Sequence, residues 1–272
     1  MEIRPQDLPE LRAQLITDFR ASQASASTEH HVHPHVASRT IDALTSSELF
    51  FVTRHMTALA DAAAESLEVF TPQAEDMPSA TGLLLFETSP ASVAVVMDSG
   101  RAGSIRGVAW WMGSSSQIDL MPIMDCKHGC LHVAPGACFG VPLGEGALRL
   151  SLEGNGLNPY HLFTLLLSTW LIMNQPLAEA AAVEPDRPAR RRLRREGIEP
   201  AAVRVIELRR PRGASGGDGT SNYHHQWIVR GHWRQHWHPK RQVHRPVWIA
   251  PHVKGPEGAP LIGGEKVYAL KR

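Results

Sequence analysis

Four short apolar runs decide the fold class: "TGLLLFET" (81–88), "SVAVVMD" (92–98), "IRGVAWWMG" (105–113) and "QIDLMPIMD" (117–125). Pro, Gly and Ser separate the runs, which is typical of short strands joined by turns. Together they predict an antiparallel β meander. Because segments with helical spacing lie before and after the meander, the expected fold class is α+β.

Three segments around the meander have helical patterns. Residues 5–21 place Leu8, Leu11, Leu15 and Phe19 on one stripe. From about Ser47, "SSEL" offers a serine cap ahead of "FFVTRHMTALADAAAESL", whose Arg54 and His55 are expected at the surface. The segment "LNPYHLFTLLLSTWLIMNQPLAEAAA" (157–182) predicts a long buried helix, kinked near Pro176. Its apolar run is shorter than the roughly 20 residues of a membrane span.

Charge is distributed unevenly along the chain. Residues 1–186 contain 9 Lys and Arg against 21 Asp and Glu, whereas residues 187–272 contain 19 against 6. The balances are therefore −12 and +13, although the whole chain carries only +1. Such asymmetry indicates a polyanion-binding surface at the basic end, or two halves that neutralise each other.

Composition and charge divide the chain into three regions. Residues 1–45 form an N-terminal helix and a Ser- and His-rich segment, 46–186 an acidic α+β region, and 187–272 a basic C-terminal region. The basic region opens with "PDRPARRRLRREGIEP", which either continues the preceding helix or forms a basic link to the strand-like segments after it. Those four segments predict a small antiparallel sheet of three or four strands: "AVRVIELRR", "YHHQWIVRGHWRQHW", "RPVWIAPHVKG" and "EKVYALKR".

A strand through residues 226–237 would have two different faces, because successive side chains alternate across the pleat. The apolar face would carry Trp227, Val229, Trp233 and Trp237. The cationic face would carry Ile228, Arg230, His232, Arg234 and His236. On the next strand His252 shares a face with Trp248, Ala250 and Lys254, so the register could bring it close to His232.

Arg230, His232, Arg234 and His252 are the candidate phosphodiester site. Arg forms forked contacts with phosphate, and His can act as a general acid or base. Nucleic-acid binding is the preferred interpretation, and metal-independent RNA cleavage and a purely structural or protein-contact face are the alternatives. Further phosphate contacts are expected from the remaining basic residues: Arg190, Arg191, Arg192, Arg194, Arg195, Lys240, Arg241, Arg245 and Lys254.

Two clusters could hold a metal. "DCKHGCLH" carries Cys126, His128, Cys130 and His132, which are the residue types that bind structural zinc, with Cys138 nearby. The spacing is not a standard zinc pattern, so reduced cysteines in a hairpin are the alternative. "EHHVHPHV" places four histidines close together in a stretch that is also typical of a mobile loop: His30, His31, His33 and His35. No other cofactor is expected.

The C-terminal pattern "HHQWIVRGHWRQHW", "HRPVWIAPHVKGPEGAPL" and "KVYALKR" resembles uncharacterised bacterial proteins found in phage-like or mobile genetic contexts. The resemblance covers chiefly the last 70 residues and implies nucleic-acid or phage-conflict biology without naming a reaction. The arrangement is also similar to that of small ribonuclease toxins of the barnase and RelE-like kind, which place basic and histidine residues on an antiparallel sheet. In that comparison the acidic region would shield the basic one.

Other classes of enzyme find no support, because the sequence contains no P-loop, dinucleotide fingerprint or G-x-S-x-G motif. The first residues show no secretory leader, and the three cysteines do not suggest a disulfide framework, so the cytoplasm is the expected location. Nucleic acid is the expected partner, with a protein partner or a homo-oligomer as further alternatives. The patterns do not separate RNA from DNA or binding from cleavage.

Overall fold

A computed structural model describes residues 2–24, 33–67, 72–96, 102–113, 117–125, 130–133, 138–144, 159–209, 224–239, 242–256 and 260. The chain divides into two units, Met1–Arg209 and Arg210–Arg272. The sequence places the last boundary at Arg187, but residues 187–209 lie within the first unit. The fold class is α+β, as predicted.

The described part of the N-terminal unit contains five α-helices and nine strands. The helices are α1 (Leu8–Ala24), α2 (Pro34–Ser46), α3 (Arg54–Glu65), α4 (Pro159–Met173) and α5 (Arg187–Arg195). The strands are β1 (Glu48–Val52), β2 (Thr81–Phe86), β3 (Ala94–Val96), β4 (Ala102–Met112), β5 (Gln117–Asp125), β6 (Leu131–Val133), β7 (Phe139–Pro142), β8 (Ala178–Val183) and β9 (Val203–Leu208). Among these residues, no helix is both long and apolar enough to cross a membrane.

All nine strands belong to one mixed sheet, whose main order is β6-β5-β4-β2-β1-β9-β8. The centre is parallel, since β1 pairs with β2 on one side and with β9 on the other. The flanks are antiparallel: β4 and β5 form the predicted meander beside β2, and β8 pairs with β9. The predicted meander is therefore one flank of a larger sheet.

Helices cover both faces of the sheet. On one face, Leu15 and Phe19 of α1 and Leu44 of α2 pack with alternate residues of the central strands, among them Leu49 and Phe51. On the other face, the Trp110 ring lies 5.5 Å from that of Phe50 and 5.1 Å from that of Trp170 on α4. The central strands are thus buried on both sides, as parallel strands usually are.

Two segments with helical sequence patterns are strands. The sequence predicts a helix from about Ser47, but residues 48–52 form β1 and α3 begins only at Arg54. The run "LFFV" is buried on both faces, and this burial outweighs the weak capping signal. The predicted long helix ends at Met173, because residues 174–177 form a turn that contains Pro176. The alanines after it form β8 through backbone pairing with β9.

The described part of the C-terminal unit contains four strands in two small antiparallel sheets. β10 (Trp227–Val229) pairs with β13 (His252–Lys254), and β11 (His232–His238) pairs with β12 (Val243–Ile249). The segment "AVRVIELRR", which the sequence assigns to this small sheet, instead supplies β9 of the large one. "EKVYALKR" lies outside the described residues.

Candidate nucleic-acid interface

The β11–β12 hairpin carries the basic and aromatic residues of the C-terminal unit. The sequence predicts one strand through residues 226–237, but Arg230 and Gly231 separate β10 from β11. Gly231 is required at this point, because a Cβ there would collide with the indole of Trp248 and lie 3.0 Å from Cδ of Pro251. The indole of Trp248 therefore leaves no room for a side chain at the break between β10 and β11.

The pairing of β11 with β12 gives the hairpin an aromatic face and a cationic face, because directly opposed residues share a side. The aromatic face joins Trp233 to Trp248, Gln235 to Pro246 and Trp237 to His244. The cationic face joins His232 to Ile249, Arg234 to Val247, His236 to Arg245 and His238 to Val243. The alternation that the sequence predicts for β11 is present.

The aromatic face has a buried end and an exposed end. Trp248 is 5% exposed, and its ring meets Trp233 edge to face at a centroid distance of 5.3 Å. Trp237 is 43% exposed and lies 4.9 Å from the ring of His244. The sequence treats all the tryptophans as packing residues, which fits Trp248 but not Trp237. Strand alternation does not distinguish Trp248 from Trp237, because both lie on the aromatic face.

The cationic face is open to solvent. His232, Arg234 and His236 are exposed, and Arg245 across from His236 is half-buried. No Asp or Glu occurs anywhere between His224 and Pro256. No carboxylate of this segment can therefore neutralise the guanidinium groups of the hairpin, and the segment presents a net positive charge to an anionic ligand.

His232 and His252 do not face each other across a strand pair. His232 lies opposite Ile249 in one small sheet, and His252 lies opposite Val229 in the other. In each ring Nδ1 is hydrogen-bonded to a backbone carbonyl two residues earlier, that of Arg230 at 3.0 Å and that of Ala250 at 3.1 Å. A carbonyl oxygen only accepts, so Nδ1 carries the proton and Nε2 is the basic nitrogen in the neutral ring.

The arginines of α5 belong to the N-terminal unit and are partly paired there. Arg192 bonds Glu10 of α1 at 2.6 Å, and Arg190 bonds Glu184 at 3.3 Å. Asp186 caps the helix by accepting from the backbone N–H of Ala189. Four arginines of α5 are exposed and form no ion pair within the described part of the chain: Arg187, Arg191, Arg194 and Arg195.

The other predicted phosphate contacts lie in the C-terminal unit. Lys254 is exposed on β13, where it pairs with Trp227. Lys240 and Arg241 fall outside the described residues. The structure thus places Arg230, Arg234, Arg245 and Lys254 in the two small sheets or between them, whereas the α5 arginines belong to the other unit.

The Cys and His cluster is only partly described, because Cys126 and His128 lie outside the described residues. Cys130 is in a disulfide, so the alternative of reduced cysteines is wrong for this residue, and its sulfur is not the thiolate that zinc binds. Burial lowers the pKa of His132, with Asp125 acting in the opposite direction. Burial also raises the pKa of Cys138 to about 11, which keeps that thiol protonated at neutral pH. The zinc hypothesis stays a prediction.

The histidine-rich N-terminal segment is described only from His33. His33 is the residue before α2, and its Nδ1 accepts from the backbone N–H of His35 at 3.3 Å. His35 already lies within α2. His30 and His31 lie outside the described residues. Within the described ranges, no three His, Cys, Asp or Glu side chains come close enough together to hold a metal ion.

No family model and no curated protein sequence matches the chain. Among solved structures, the chain is similar to the one described as the crystal structure of AcrVA2, with 14% sequence identity. The alignment covers 92% of this chain and 86% of that chain at a TM-score of 0.45. A likeness of that degree carries no argument about function.

Proposed function

We propose that the C-terminal unit binds nucleic acid through the β11–β12 hairpin, and that single strands are its preferred ligand. The observation that supports this most is the hairpin's pair of faces. One presents Arg234 and its neighbouring histidines to solvent, and the other presents the exposed ring of Trp237. Cations that follow the backbone and aromatic rings that stack on bases are the two components of single-strand binding sites.

The cationic face would contact phosphates. Arg234 is exposed beside two exposed imidazoles, and a guanidinium forms charge-assisted, forked bonds with phosphate oxygens. Because the segment carries no carboxylate, a polyanion meets no repulsive group along these strands. The resemblance of the C-terminal pattern to proteins of mobile genetic contexts supports a setting in that biology.

The exposed ring of Trp237 would stack on an unpaired base. Its nearest aromatic neighbour, His244, is tilted by 52° and leaves a large part of the indole exposed. Stacking of this kind does not depend on which base is present, because every base has a π-face. A duplex hides its base faces, so single strands should bind more tightly than a duplex of the same length.

The Trp237→Ala variant tests the stacking contact. We expect its affinity for a fluorescein-labelled single-stranded oligonucleotide to fall by about 1–3 kcal/mol, which is the contribution of one base stacked on an aromatic residue. Fluorescence anisotropy at low salt measures the change. Trp237→Phe should retain most of the affinity, because a phenyl ring still stacks.

Val243→Ala is the matched control, since Val243 is 40% exposed near the same end of the hairpin and offers no ring. If Val243→Ala and Trp237→Ala weaken binding equally, the indole ring makes no specific contribution to binding, and the proposed stacking contact is wrong.

Metal-independent RNA cleavage is the second candidate, and the orientation of His232 favours it. The bond from Nδ1 to the carbonyl of Arg230 directs Nε2 away from its own backbone, where it could accept a proton from a ribose hydroxyl. Arg234 lies two positions further along the same face and would stabilise the phosphate. The His252 ring lies in the other small sheet, so the structure does not show it as the paired acid.

The His232→Ala variant separates cleavage from binding. If the protein cleaves, a labelled RNA incubated with wild type in EDTA should shorten, and the variant should leave it intact while retaining its anisotropy signal. DNA of the same sequence is the control, because it lacks the 2′-hydroxyl. Intact RNA after prolonged incubation with wild type would exclude the ribonuclease and leave the binding proposal standing.

A further inference from the structure

The outer edge of β8 is the most regular unpaired edge of the large sheet. β8 pairs with β9 through all six of its residues, without a bulge, and within the described part of the chain no strand pairs with its other side. Ala180, Ala181 and Ala182 are exposed. An open edge of this kind presents unpaired backbone donors and acceptors to another strand.

The hydrogen-bond pattern shows which backbone groups point outward. The N–H of Arg209 donates to the carbonyl of Leu177 at 2.9 Å, directly before the β8–β9 register begins. Hydrogen-bonded and non-hydrogen-bonded pairs alternate along an antiparallel ladder. Glu179, Ala181 and Val183 therefore bond to β9, and Ala180 and Ala182 direct their N–H and C=O groups to the free edge.

The opposite edge of the sheet is made of shorter and less regular strands than β8. Two short strands, β6 and β7, share the outer side of β5, and β7 ends in Pro142. Short strands and proline are the usual devices that prevent pairing at an edge. β8 has six residues without Lys or Pro, and Glu179 is its single charged residue. The edge at β6 and β7 therefore has features that prevent pairing with another strand, and β8 lacks them. This difference indicates that β8 can accept a further strand.

We propose that β8 pairs antiparallel with β8 of a second copy of this chain, around a twofold axis at Ala181. Opposed residues share a face in this register. The outward N–H and C=O groups of Ala180 would bond to those of Ala182 of the partner subunit, and the twofold axis repeats this pair, giving four backbone hydrogen bonds. In this register Glu179 lies opposite Val183, and Glu184 lies opposite Ala178, so no carboxylate faces another. The strand is therefore complementary to itself, and the dimer joins two sheets into one.

Sedimentation velocity of the full chain tests the dimer. A contact this small makes a weak dimer, so we expect it at concentrations on the order of 100 µM. Ala180→Pro should weaken it at least tenfold, because the proline removes an outward N–H that β9 does not use. Ala181→Lys should do the same by placing two like charges opposite each other on the axis.

Ala62→Lys is the matched control, since Ala62 is exposed on α3 and gains the same charge away from the edge. It should dimerise like wild type. Far-UV circular dichroism establishes whether each variant folds. If Ala180→Pro does not fold, Ala181→Lys still tests the dimer. A wild-type chain that stays monomeric at these concentrations, or a dimer that both edge variants retain, would overturn the proposal.

Cross-linking tests the register itself, in a Cys138→Ser background. On the twofold axis the two Cα atoms of residue 181 would be about 4.5 Å apart, within the range of a disulfide. Ala181→Cys should therefore give a covalent dimer on mild oxidation. Ala180→Cys should not, because residue 180 faces residue 182 and the two identical positions are more than about 7 Å apart. Equal cross-linking of both variants would contradict the register.

Discussion

Replacing Trp110 by alanine should lower the free energy of unfolding of the N-terminal unit by about 3–5 kcal/mol. The side chain is fully buried between Phe50 and Trp170, so it links the sheet to α4. Its Nε1–H donates to the carbonyl of Ser79 at 3.0 Å, and alanine would lose that bond as well. Gly82 lies under the indole, where a Cβ would collide with the ring. The cavity cannot collapse easily, because strands on both sides hold it open.

Urea denaturation followed by far-UV circular dichroism measures this loss. Trp237→Ala is the matched control, because it removes the same side chain from a surface position and should change the free energy of unfolding by no more than about 0.5 kcal/mol. If Trp110→Ala costs under about 1 kcal/mol, the contact between the sheet and α4 does not hold the unit together in the way described.

Replacing Arg234 by alanine should weaken binding of a single-stranded oligonucleotide about tenfold, or about 1.4 kcal/mol. Arg234 is exposed at the centre of the cationic face, and its loss removes one charge-assisted phosphate contact without touching the buried tryptophans. The loss should be similar for every base sequence, because phosphate contacts carry no sequence information. Fluorescence anisotropy at fixed low salt gives the ratio of dissociation constants.

Arg20→Ala is the control for Arg234→Ala, since Arg20 is exposed on α1 and its removal changes the net charge of the chain equally. Its affinity should stay within about twofold of wild type, because the proposal assigns no phosphate contact to Arg20, which belongs to the other unit. Equal losses for the two variants would mean that net charge alone attracts the ligand and that the hairpin is not the site.

The sequence predicts the strands of the meander but not the two strands whose sequence patterns are helical. The four runs in residues 81–125 have the composition and turn residues of strands, and the described part of each run contains a strand. The "LFFV" run that forms β1 has no period that distinguishes a buried strand from a helix, since both of its faces are apolar. β8 is mainly alanine, a good helix former, and becomes a strand only because β9 lies beside it. Tertiary pairing decides both cases.

The candidate site shows the same limit. Alternation along β11 correctly separates its basic residues from its tryptophans, because the side-chain period of a strand is fixed at two. It does not show that Arg230 and Gly231 interrupt the strand, or that His252 lies in a different small sheet. Those facts depend on which strands pair, and strand pairing cannot be inferred from a single sequence. Nor does the alternation show that Trp237 is 43% exposed and Trp248 5% exposed, although both lie on the aromatic face.

The salt dependence of binding by the wild-type chain tests the central claim most directly. If Arg230, Arg234, Arg245 and Lys254 contact phosphates, the logarithm of the association constant for a single strand should fall linearly with the logarithm of salt concentration, with a slope of about −2 to −3. Anisotropy titrations with a single-stranded RNA, a single-stranded DNA and a duplex between about 50 and 300 mM salt would measure it. No affinity for any of the three at low salt, or an affinity that salt leaves unchanged, would contradict nucleic-acid binding by this hairpin.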